Sequence, residues 1–275
     1  MKGVGCVILN YNDTKRVCEL AITIGKYKCI NRIIVVDNKS EEKQRKIFDN
    51  YHLPSNVEIV FNKENVGYNK GVNIGFRKLP PEKFKYILQV NSDVVVQEAA
   101  IVAFIAFLET HRDVAVVSCQ MIENGKYRQM FYNFPTVKNE ILANLGLRKI
   151  VKDTPQKRDE GKGYFLVDFV RGSLFCLRND AGNKVQYFSD EIFLYFGEAS
   201  LAKKLEGIGY KEALLTDFTY LHNHIYPKSK IAGYKTNYYD FLIYDKMFIK
   251  STKIKLFVLK VSFYIGLFLR VIFRI

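Results

Sequence analysis

The sequence predicts an α/β fold with a mainly parallel sheet flanked by helices, and three observations support this. Short apolar runs of strand length alternate with segments of helical periodicity along the first half of the chain. The runs are continuously apolar, which indicates strands buried on both faces of a sheet. Asn and Asp residues follow where the runs end.

The first half supplies five strands, predicted over residues 4–10, 32–37, 57–61, 86–90 and 114–119. Helical segments are predicted between them, over 14–26, 41–50, up to about 78, and 99–111. Ligands of parallel sheets bind beyond the carboxyl ends of the strands. Polar residues follow the first four strands, so we expect these four loops to meet at one site: Asn10, Asn12, Asp37, Asn38, Asn65 and Asp93.

The second half has less pattern. Residues 121–163 are polar and irregular, strands are predicted over 164–170 and 173–177, a helix over 198–207, and a last strand over 214–221. We therefore expect one domain over 1–228, with its two halves meeting at 120/121, and a helical C-terminal tail over 229–275.

Composition limits the possible partners. The chain has 275 residues, 48% of them hydrophobic, and a net charge of +14. Such a charge favours an anionic partner, either nucleic acid, an acidic membrane surface or a phosphorylated substrate, and solubility alone is the alternative. Because the basic residues are scattered and no nucleic-acid-binding motif is present, no nucleic-acid partner is expected.

The cysteines and the N-terminus bear on the compartment. Five cysteines stand at wide spacings without a Cys-x-x-Cys pair, so neither a zinc site nor a disulfide framework is expected. The N-terminus enters a strand pattern without a basic and an apolar signal region, so a cytoplasmic location is expected.

The tail from about residue 253 is apolar and basic. Placed on a helix, Lys253, Lys260, Arg270 and Arg274 fall on one side, and most of the large apolar residues lie elsewhere. A row of charges is unfavourable in a spanning helix and typical of one lying in the membrane interface. We expect amphipathic, membrane-associated helices on the inner face of the cell membrane, with packing on the domain as the alternative.

Three segments carry a resemblance to a known family. They are Asn10-Tyr11-Asn12, residues 35–40, and residues 65–75, which match the pattern N-x-G-[FY]-x-x-G-x-N-x-G. Together they resemble the inverting glycosyltransferases of family 2, which have the GT-A fold. A dinucleotide site would instead place G-x-G-x-x-G directly after the first strand, so NAD is disfavoured.

The triplet Asn91-Ser92-Asp93 falls where that family carries its D-x-D-like metal motif, with Asn at the first position. The resemblance implies Mn²⁺ or Mg²⁺ held by Asp93, with His222 as a further ligand after the last strand. It also implies a set of donor-binding residues: Asn10, Asn12, Asp37, Asn38, Asn65, Gly67, Asn69, Asn73, Asn91 and Ser92. Of these, Asp37 would contact the nucleotide base, and the backbone near Asn10 would help to hold the donor.

Residues 193–198 resemble the family segment F-L-Y-F-E-[ED], whose last acid is the catalytic base. Glu198 matches that acid, and Gly197 replaces the acid before it. A carboxylate near the acceptor hydroxyl suits a general base, whereas the alternative is a carboxylate favoured by a helix N-terminus. The resemblance places the acceptor near four residues: Arg171, Gly172, Asp190 and Glu191.

The expected activity is transfer of a sugar, with inversion, from a UDP-sugar or dTDP-rhamnose to an acceptor hydroxyl. The charge and the tail favour a glycan or lipid-linked glycan acceptor in bacterial surface polysaccharide biosynthesis, as for rhamnosyltransferase-like members. Asn91 and Gly197 leave an inactive scaffold as an alternative, and the charge leaves a nucleic-acid-binding protein as a weaker one. A nucleotidyltransferase is disfavoured because its Gly-rich basic N-terminal loop is missing.

Overall fold

The computed structural model describes residues 3–150, 163–223 and 230–273. Its first part alternates strands and helices: β1 (Gly3–Asn10), α1 (Thr14–Gly25), β2 (Arg32–Asp37), α2 (Glu42–Arg45), β3 (Val57–Phe61), α3 (Tyr68–Arg77), β4 (Phe84–Val90), β5 (Val94–Val95), α4 (Glu98–Thr110) and β6 (Val114–Glu123). A 3₁₀ turn over Lys46–Asn50 follows α2. These elements confirm the five strands and the helices predicted for the first half.

The second part is richer in short elements. It comprises β7 (Lys126–Arg128), β8 (Phe131–Tyr132), α5 (Val137–Asn144), β9 (Tyr164–Val167), β10 (Phe169–Val170), β11 (Leu174–Arg178), α6 (Asn179–Lys184), α7 (Gly197–Glu206), β12 (Lys211–His222), α8 (Lys230–Tyr244) and α9 (Lys253–Phe273). The strands predicted over 164–170 and 173–177 and the helix predicted over 198–207 are confirmed. Helix α5 falls in a segment predicted to be irregular, and its N-terminus is capped by the Thr136 hydroxyl, which accepts from the Asn139 amide at 3.2 Å.

Ten strands of the described ranges form one sheet, in the order β3-β2-β1-β4-β11-β6-β12-β5, with β7 beside β6 and β9 beside β12. Strands β1 to β4 are parallel, as predicted. The prediction of a mainly parallel sheet is wrong for the second half, because β11 lies antiparallel between β4 and β6. The sheet is therefore mixed, and β11 joins the two halves of the chain.

The main core lies between this sheet and its flanking helices. Helix α1 shows how the sequence builds it, since Val17, Leu20, Ala21 and Ile24 recur at helical spacing and are buried. Each buried Val, Leu or Ile of this kind contributes about 1.5–3 kcal/mol. Cys6 and Cys176 are also fully buried in this core.

A second apolar cluster joins the C-terminal helices to the rest of the chain. It contains Val137, Phe169, Ile192, Ala199, Ala202, Tyr238, Phe241, Tyr244, Leu259 and Phe263. These residues come from α5, β10, α7, α8, α9 and the segment before α7. One face of α9 therefore packs against these earlier elements of the chain. The domain division at 228/229 stays a prediction, and residues 224–229, with His224, lie outside the described residues.

The opposite face of α9 is exposed and apolar. It carries Ile254, Phe257, Val258, Val261, Tyr264, Ile265 and Phe268 at helical spacing. The predicted row of charges is wrong for Arg270, which turns inward, donates to the Asn144 carbonyl at 3.1 Å and lies over the Tyr234 ring; Arg274 lies outside the described residues. No helix in the described ranges has both the length and the apolarity that crossing a membrane requires.

Substitutions on the two faces of α9 should change the free energy of unfolding by different amounts, because one face is packed and the other is exposed. Phe263 is buried and stacks on Tyr238 at 3.9 Å between ring centroids, so Phe263→Ala should lower the free energy of unfolding by about 3–5 kcal/mol. Phe257 is 67% exposed, so Phe257→Ala should change it by no more than about 0.5 kcal/mol. Urea unfolding of the two variants measures the difference, and equal losses would contradict this packing of α9.

Candidate active site

The loop after β1 is joined to the loop after β2 by Asn10. Its side chain is fully buried and donates to Asp37 Oδ1 and to Thr14 Oγ1, both at 2.9 Å. Asn12, with a left-handed φ of 58°, accepts from the Glu41 amide at 2.7 Å and donates its own amide to Ser40 Oγ at 2.8 Å. The parallel strands thus bring both loops together, as predicted.

Asp37 makes its contacts in the structure with the protein itself, and its contact with a nucleotide base stays a prediction. Its carboxylate is fully buried and accepts from the Arg45 Nε at 2.6 Å, besides Asn10. Arg45 also donates to the Asn62 carbonyl at 2.8 Å, and its guanidinium lies 5.2 Å from the centre of the exposed Phe61 ring. The Asp37 carboxylate thus holds both Asn10 and Arg45 in place.

Asn38 connects the loops after β2 and β3. Its Nδ2 donates to Asn65 Oδ1 and to the Gly67 carbonyl, both at 2.9 Å, and its Oδ1 accepts from Asn62 Nδ2 at 3.0 Å. Asn38 is 2% exposed, and its side-chain amide is fully used by these contacts. It therefore positions the segment that resembles the family motif and does not face a cleft.

Helix α3 fixes the segment that precedes the predicted catalytic base. Asn69 donates to the Ile192 carbonyl at 2.9 Å, and Asn73 donates to the Phe188 carbonyl at 3.0 Å and accepts from the Phe188 amide at 3.1 Å. Gly67, with φ 86°, permits this approach, since a Cβ there would lie 2.5 Å from the Phe193 carbonyl oxygen. Two Asn residues predicted to bind the donor therefore bind the protein's own backbone.

Asp190, predicted to contact an acceptor, has partners in α3. Its carboxylate accepts from Asn73 Nδ2 at 2.6 Å and from Arg77 Nη2 at 2.9 Å, which ties the segment before α7 to α3. Glu191 is exposed, beside this tie. The Asp190 side chain is 35% exposed while it makes this tie, and the acceptor contacts of Asp190 and Glu191 stay predictions.

The triplet Asn91-Ser92-Asp93 follows β4 and each of its side chains has a separate contact. Asn91 Oδ1 accepts from the Tyr68 hydroxyl at 2.8 Å, and Ser92 Oγ donates to Asp13 Oδ2 at 2.5 Å. Asp93 Oδ1 lies 3.1 Å from His222 Nε2, so the structure brings together the two predicted metal ligands. A pocket of about 220 Å³ beside the triplet is lined by Arg16, Ser92 and Asp93, among others.

Glu123 extends the Asp93–His222 pair and was not predicted from the sequence. Its Oε1 is buried without a hydrogen bond inside the described ranges and lies 3.8 Å from His222 Nδ1. Its other oxygen pairs with Arg128 at 2.8 Å. No cluster of three or more His, Cys, Asp or Glu side chains suited to a metal was found in the part of the chain that is described. A cation at Asp93 and His222 would therefore need oxygens from a ligand or water as well.

Glu198 lies in the first turn of α7, against Gly172. The absence of a side chain at Gly172 allows this close approach, because a Cβ there would overlap the Glu198 carboxylate. Burial raises the pKa of Glu198, and hydrogen bonds from its own amide and that of Gly172, with the charge of Arg171, oppose the shift. The predicted acceptor-side residues Arg171 and Gly172 therefore adjoin the predicted base.

Tyr68 links the triplet to this carboxylate. Its hydroxyl contacts Asn91, accepts from Gln89 Nε2 at 2.6 Å, and donates to the Gly172 carbonyl at 3.2 Å. Burial raises the pKa of Tyr68 well above its usual value, and the charges of Glu198 and Asp93 raise it further. Tyr68 thus connects the triplet that contains Asp93 with Gly172, which lies against Glu198, although these elements are distant in sequence.

Gly197 departs from the family pattern for a reason visible in the structure. A Cβ at Gly197 would overlap Asn69 Oδ1, which is held by the Asn69–Ile192 contact. The acid found in other members therefore has no room beside Asn69.

A mixed α/β sheet with carboxylates and amides gathered at the carboxyl edge of its parallel strands is the architecture of a GT-A glycosyltransferase. Comparison with protein-family models matches residues 7–169, more than half of the chain, to Glycosyl transferase family 2. The chain belongs to this family.

Solved structures with the same fold include three distant glycosyltransferases. TarS 1–349 of S. aureus in complex with UDP-GlcNAc is 17% identical, covers 87% of this chain and 65% of its own, and superposes with a TM-score of 0.58. GalNAc-T7 with UDP, GalNAc and Mn²⁺ is 13% identical over 82% of this chain and 43% of its own, with a TM-score of 0.60. The mannosyltransferase PcManGT of Pyrobaculum calidifontis with GDP-Man and Mn²⁺ is 14% identical over 95% of this chain and 69% of its own, also with a TM-score of 0.60.

At these identities the likeness concerns the fold. The chain spans less than two thirds of the TarS chains, 64% of TarS 1–349 and 39% of the longer chain. A search of curated proteins gave no significant match.

Two glycines of α7 provide a test of the contact with α3. Gly197→Ala should lower the free energy of unfolding by about 1–3 kcal/mol, because its Cβ must displace Asn69. Gly207, at the end of the same helix, has only ordinary contacts at 3.4 Å, so Gly207→Ala should be neutral or stabilising by up to about 1 kcal/mol. Urea unfolding compares the two variants.

A double variant identifies the atom responsible. Asn69→Ala combined with Gly197→Ala should lose less stability than the sum of the single losses, since the overlapping side chain is gone. Additive losses would show that Asn69 is not what excludes a side chain at Gly197.

Proposed function

We propose that this glycosyltransferase moves a sugar from a nucleotide-diphosphate sugar to an acceptor hydroxyl with inversion, and that Glu198 is its general base. The observation that carries the proposal is that one residue, Tyr68, connects the elements carrying the two carboxylates, Glu198 and Asp93. Its hydroxyl lies 2.8 Å from Asn91 Oδ1, in the triplet that contains Asp93, and 3.2 Å from the carbonyl of Gly172, which lies against Glu198. One carboxylate serves the acceptor and the other the departing diphosphate, as a single displacement requires.

The chemistry follows from this placement. The acceptor oxygen attacks the anomeric carbon while the bond from that carbon to the diphosphate oxygen breaks on the opposite face, which inverts the configuration. Glu198 takes the proton of the attacking hydroxyl. The raised pKa of Glu198 strengthens it as a base, and the two amide hydrogen bonds keep its ionised form accessible.

The donor end would be held by Asp93, His222 and the surrounding amides. Carboxylate and imidazole ligands suit a divalent cation such as Mn²⁺, and Asp93 with His222 fits one held jointly with a diphosphate. When bound there, Mn²⁺ or Mg²⁺ would supply positive charge to the departing diphosphate. The Mn²⁺ in the GalNAc-T7 and PcManGT structures supports this assignment.

For the donor we propose a UDP-sugar or dTDP-rhamnose, bound near Asn12, Arg45 and Arg16. The UDP-GlcNAc of the TarS complex supports a uridine donor, and the GDP-Man of PcManGT makes guanosine the alternative to test. The residues that differ from the family pattern do not favour an inactive scaffold. Asn91 is bonded to Tyr68, and Gly197 makes room for Asn69.

For the acceptor we propose a lipid-linked glycan in bacterial surface polysaccharide synthesis, reached from the inner face of the membrane. The exposed apolar face of α9 supports this, since it continues over about four turns with the exposed Lys253, Lys255 and Lys260 on the same helix. Aromatic and aliphatic residues on one face, with lysines beside them, suit the headgroup region of an anionic bilayer.

Removing the two carboxylates tests the reaction. Glu198→Gln should lower turnover by about 10²–10⁴-fold while nucleotide binding is retained, because only the proton acceptor is lost. Wild-type turnover should fall as pH drops through the raised pKa of Glu198, since the base must be ionised. Release of UDP, dTDP or GDP from a panel of nucleotide sugars with Mn²⁺ or Mg²⁺ measures both, and full activity of Glu198→Gln would exclude it as the base.

Asp93→Asn should weaken Mn²⁺ binding by about tenfold or more, measured by calorimetry with and without UDP, because one anionic ligand is removed. Glu206→Gln is the matched control for both variants, since Glu206 is a 52% exposed acid at the opposite end of the helix that carries Glu198. It should leave turnover and Mn²⁺ binding unchanged.

If α9 binds the membrane, substitutions on its exposed apolar face should weaken binding to vesicles, and exposed aromatic residues elsewhere should have no such effect. Phe257 and Phe268 are 67% and 64% exposed, and their replacement by Ser in one double variant should reduce sedimentation with phosphatidylglycerol vesicles by about tenfold. Tyr127→Ser, at an exposed aromatic of β7, is the control and should bind like the wild type. Wild-type protein that fails to sediment with these vesicles would contradict the membrane assignment.

A further inference from the structure

The backbone of residues 192–196 leads directly into α7 and so determines where Glu198 lies. The segment has no regular helix or strand of its own. Its hydrogen-bonding groups are therefore satisfied by other parts of the chain, and those contacts decide the position of the base.

On one side the segment is held by α3. The Tyr68 amide donates to the Phe193 carbonyl at 2.6 Å, and the Asn69 side chain donates to the Ile192 carbonyl at 2.9 Å. These contacts use the carbonyl groups of the segment. Its backbone amides therefore need partners on the side that faces away from α3.

Asp240, in the middle of α8, supplies those partners. Its Oδ1 accepts from the Phe193 amide at 2.9 Å, and its Oδ2 accepts from the Leu194 and Tyr195 amides at 2.9 and 2.8 Å. The side chain is 2% exposed, so these three consecutive amides surround a buried carboxylate. Charge-assisted hydrogen bonds of this kind are about twice as strong as neutral ones, and losing them would leave a buried charge without compensation.

The residue that follows is also fixed by α8. Phe196 adopts a left-handed conformation with φ 59°, and its ring packs on Phe241 and Tyr244, with centroids 5.6 and 5.9 Å apart. Gly197 then begins α7. From Phe193 to Phe196, every residue before the helix thus contacts α8, and Glu198 comes two residues later.

We propose that Asp240 is a positioning residue for Glu198: by binding three amides of the preceding segment it sets where α7 starts and hence where the base meets the acceptor. This inference rests on the proposed role of Glu198. Asp240 lies outside the residues that match the family, and it connects catalysis to the C-terminal helices.

The test compares Asp240→Asn with Asp245→Asn. Asparagine at 240 keeps one acceptor oxygen but turns an NH₂ group towards an N–H, so at least one of the three amides loses its acceptor. Asp245 is a matched control, since it is also buried, lies directly after α8, and accepts from the Ser251 amide at 3.3 Å, away from the segment before α7.

Two measurements on the full chain decide the matter. In Asp240→Asn, hydrogen exchange of residues 192–200 should accelerate by about tenfold, and kcat for nucleotide release should fall by about 10–100-fold, with KM for the donor within about twofold. Asp245→Asn should change neither the exchange of this segment nor kcat. The donor is whichever nucleotide sugar of the UDP, dTDP and GDP panel the wild type consumes with Mn²⁺.

Each outcome has a distinct meaning. Unchanged exchange and kcat in Asp240→Asn would overturn the proposal, and so would equal effects in Asp245→Asn, which would reduce Asp240 to general stability. Wild-type protein without turnover on any donor would overturn the proposed function instead, and the exchange of residues 192–200 would then decide by itself whether Asp240 holds the segment.

Discussion

The site depends on the close contact between the N-terminus of α3 and the backbone of residues 188–193. That contact consists of Asn69 and Asn73 bonded to main-chain groups, with Gly67 admitting the Phe193 carbonyl. The parallel part of the sheet, with helix α3, and the segment carrying Glu198 are more than a hundred residues apart in sequence, and here they share hydrogen bonds. This contact therefore helps to fix the carboxylate on α7 relative to the carboxylate after β4.

The same contact explains several sequence features at once. Asn69 occupies the space beside Gly197, so the acid usual in the family is excluded at that position. Gly172 approaches the Glu198 carboxylate closely enough to donate its amide, while its carbonyl accepts from Tyr68. Small residues are present here because the elements pack closely against one another. The polar side chains around them form hydrogen bonds with the backbone and so have partners without a ligand.

Much of this could be predicted from the sequence, because the signal was local. Continuous apolar runs predicted the parallel strands, and the spacing of Gly and Asn over residues 65–75 predicted the family. What could not be predicted from the sequence depended on distant partners. The burial of Asp37 against Arg45, the pairing of Asp190 with Arg77, and the antiparallel insertion of β11 each depend on tertiary contacts that no periodicity encodes. Glu123 was missed for the same reason, since only the pairing of β6 with β12 brings it towards His222.

The C-terminal helices connect the two proposals. Helix α9 presents an apolar face outward and packs its other face on α8, while α8 carries Asp240 against the segment before Glu198. A helix pair that contacted a bilayer on one side and the catalytic segment on the other would bring the base to a lipid-linked acceptor without a separate linker. The distance between the bilayer surface and Glu198 would then be set by the packing of α9 on α8. This would explain why α8 and α9 follow the rest of the fold in this order.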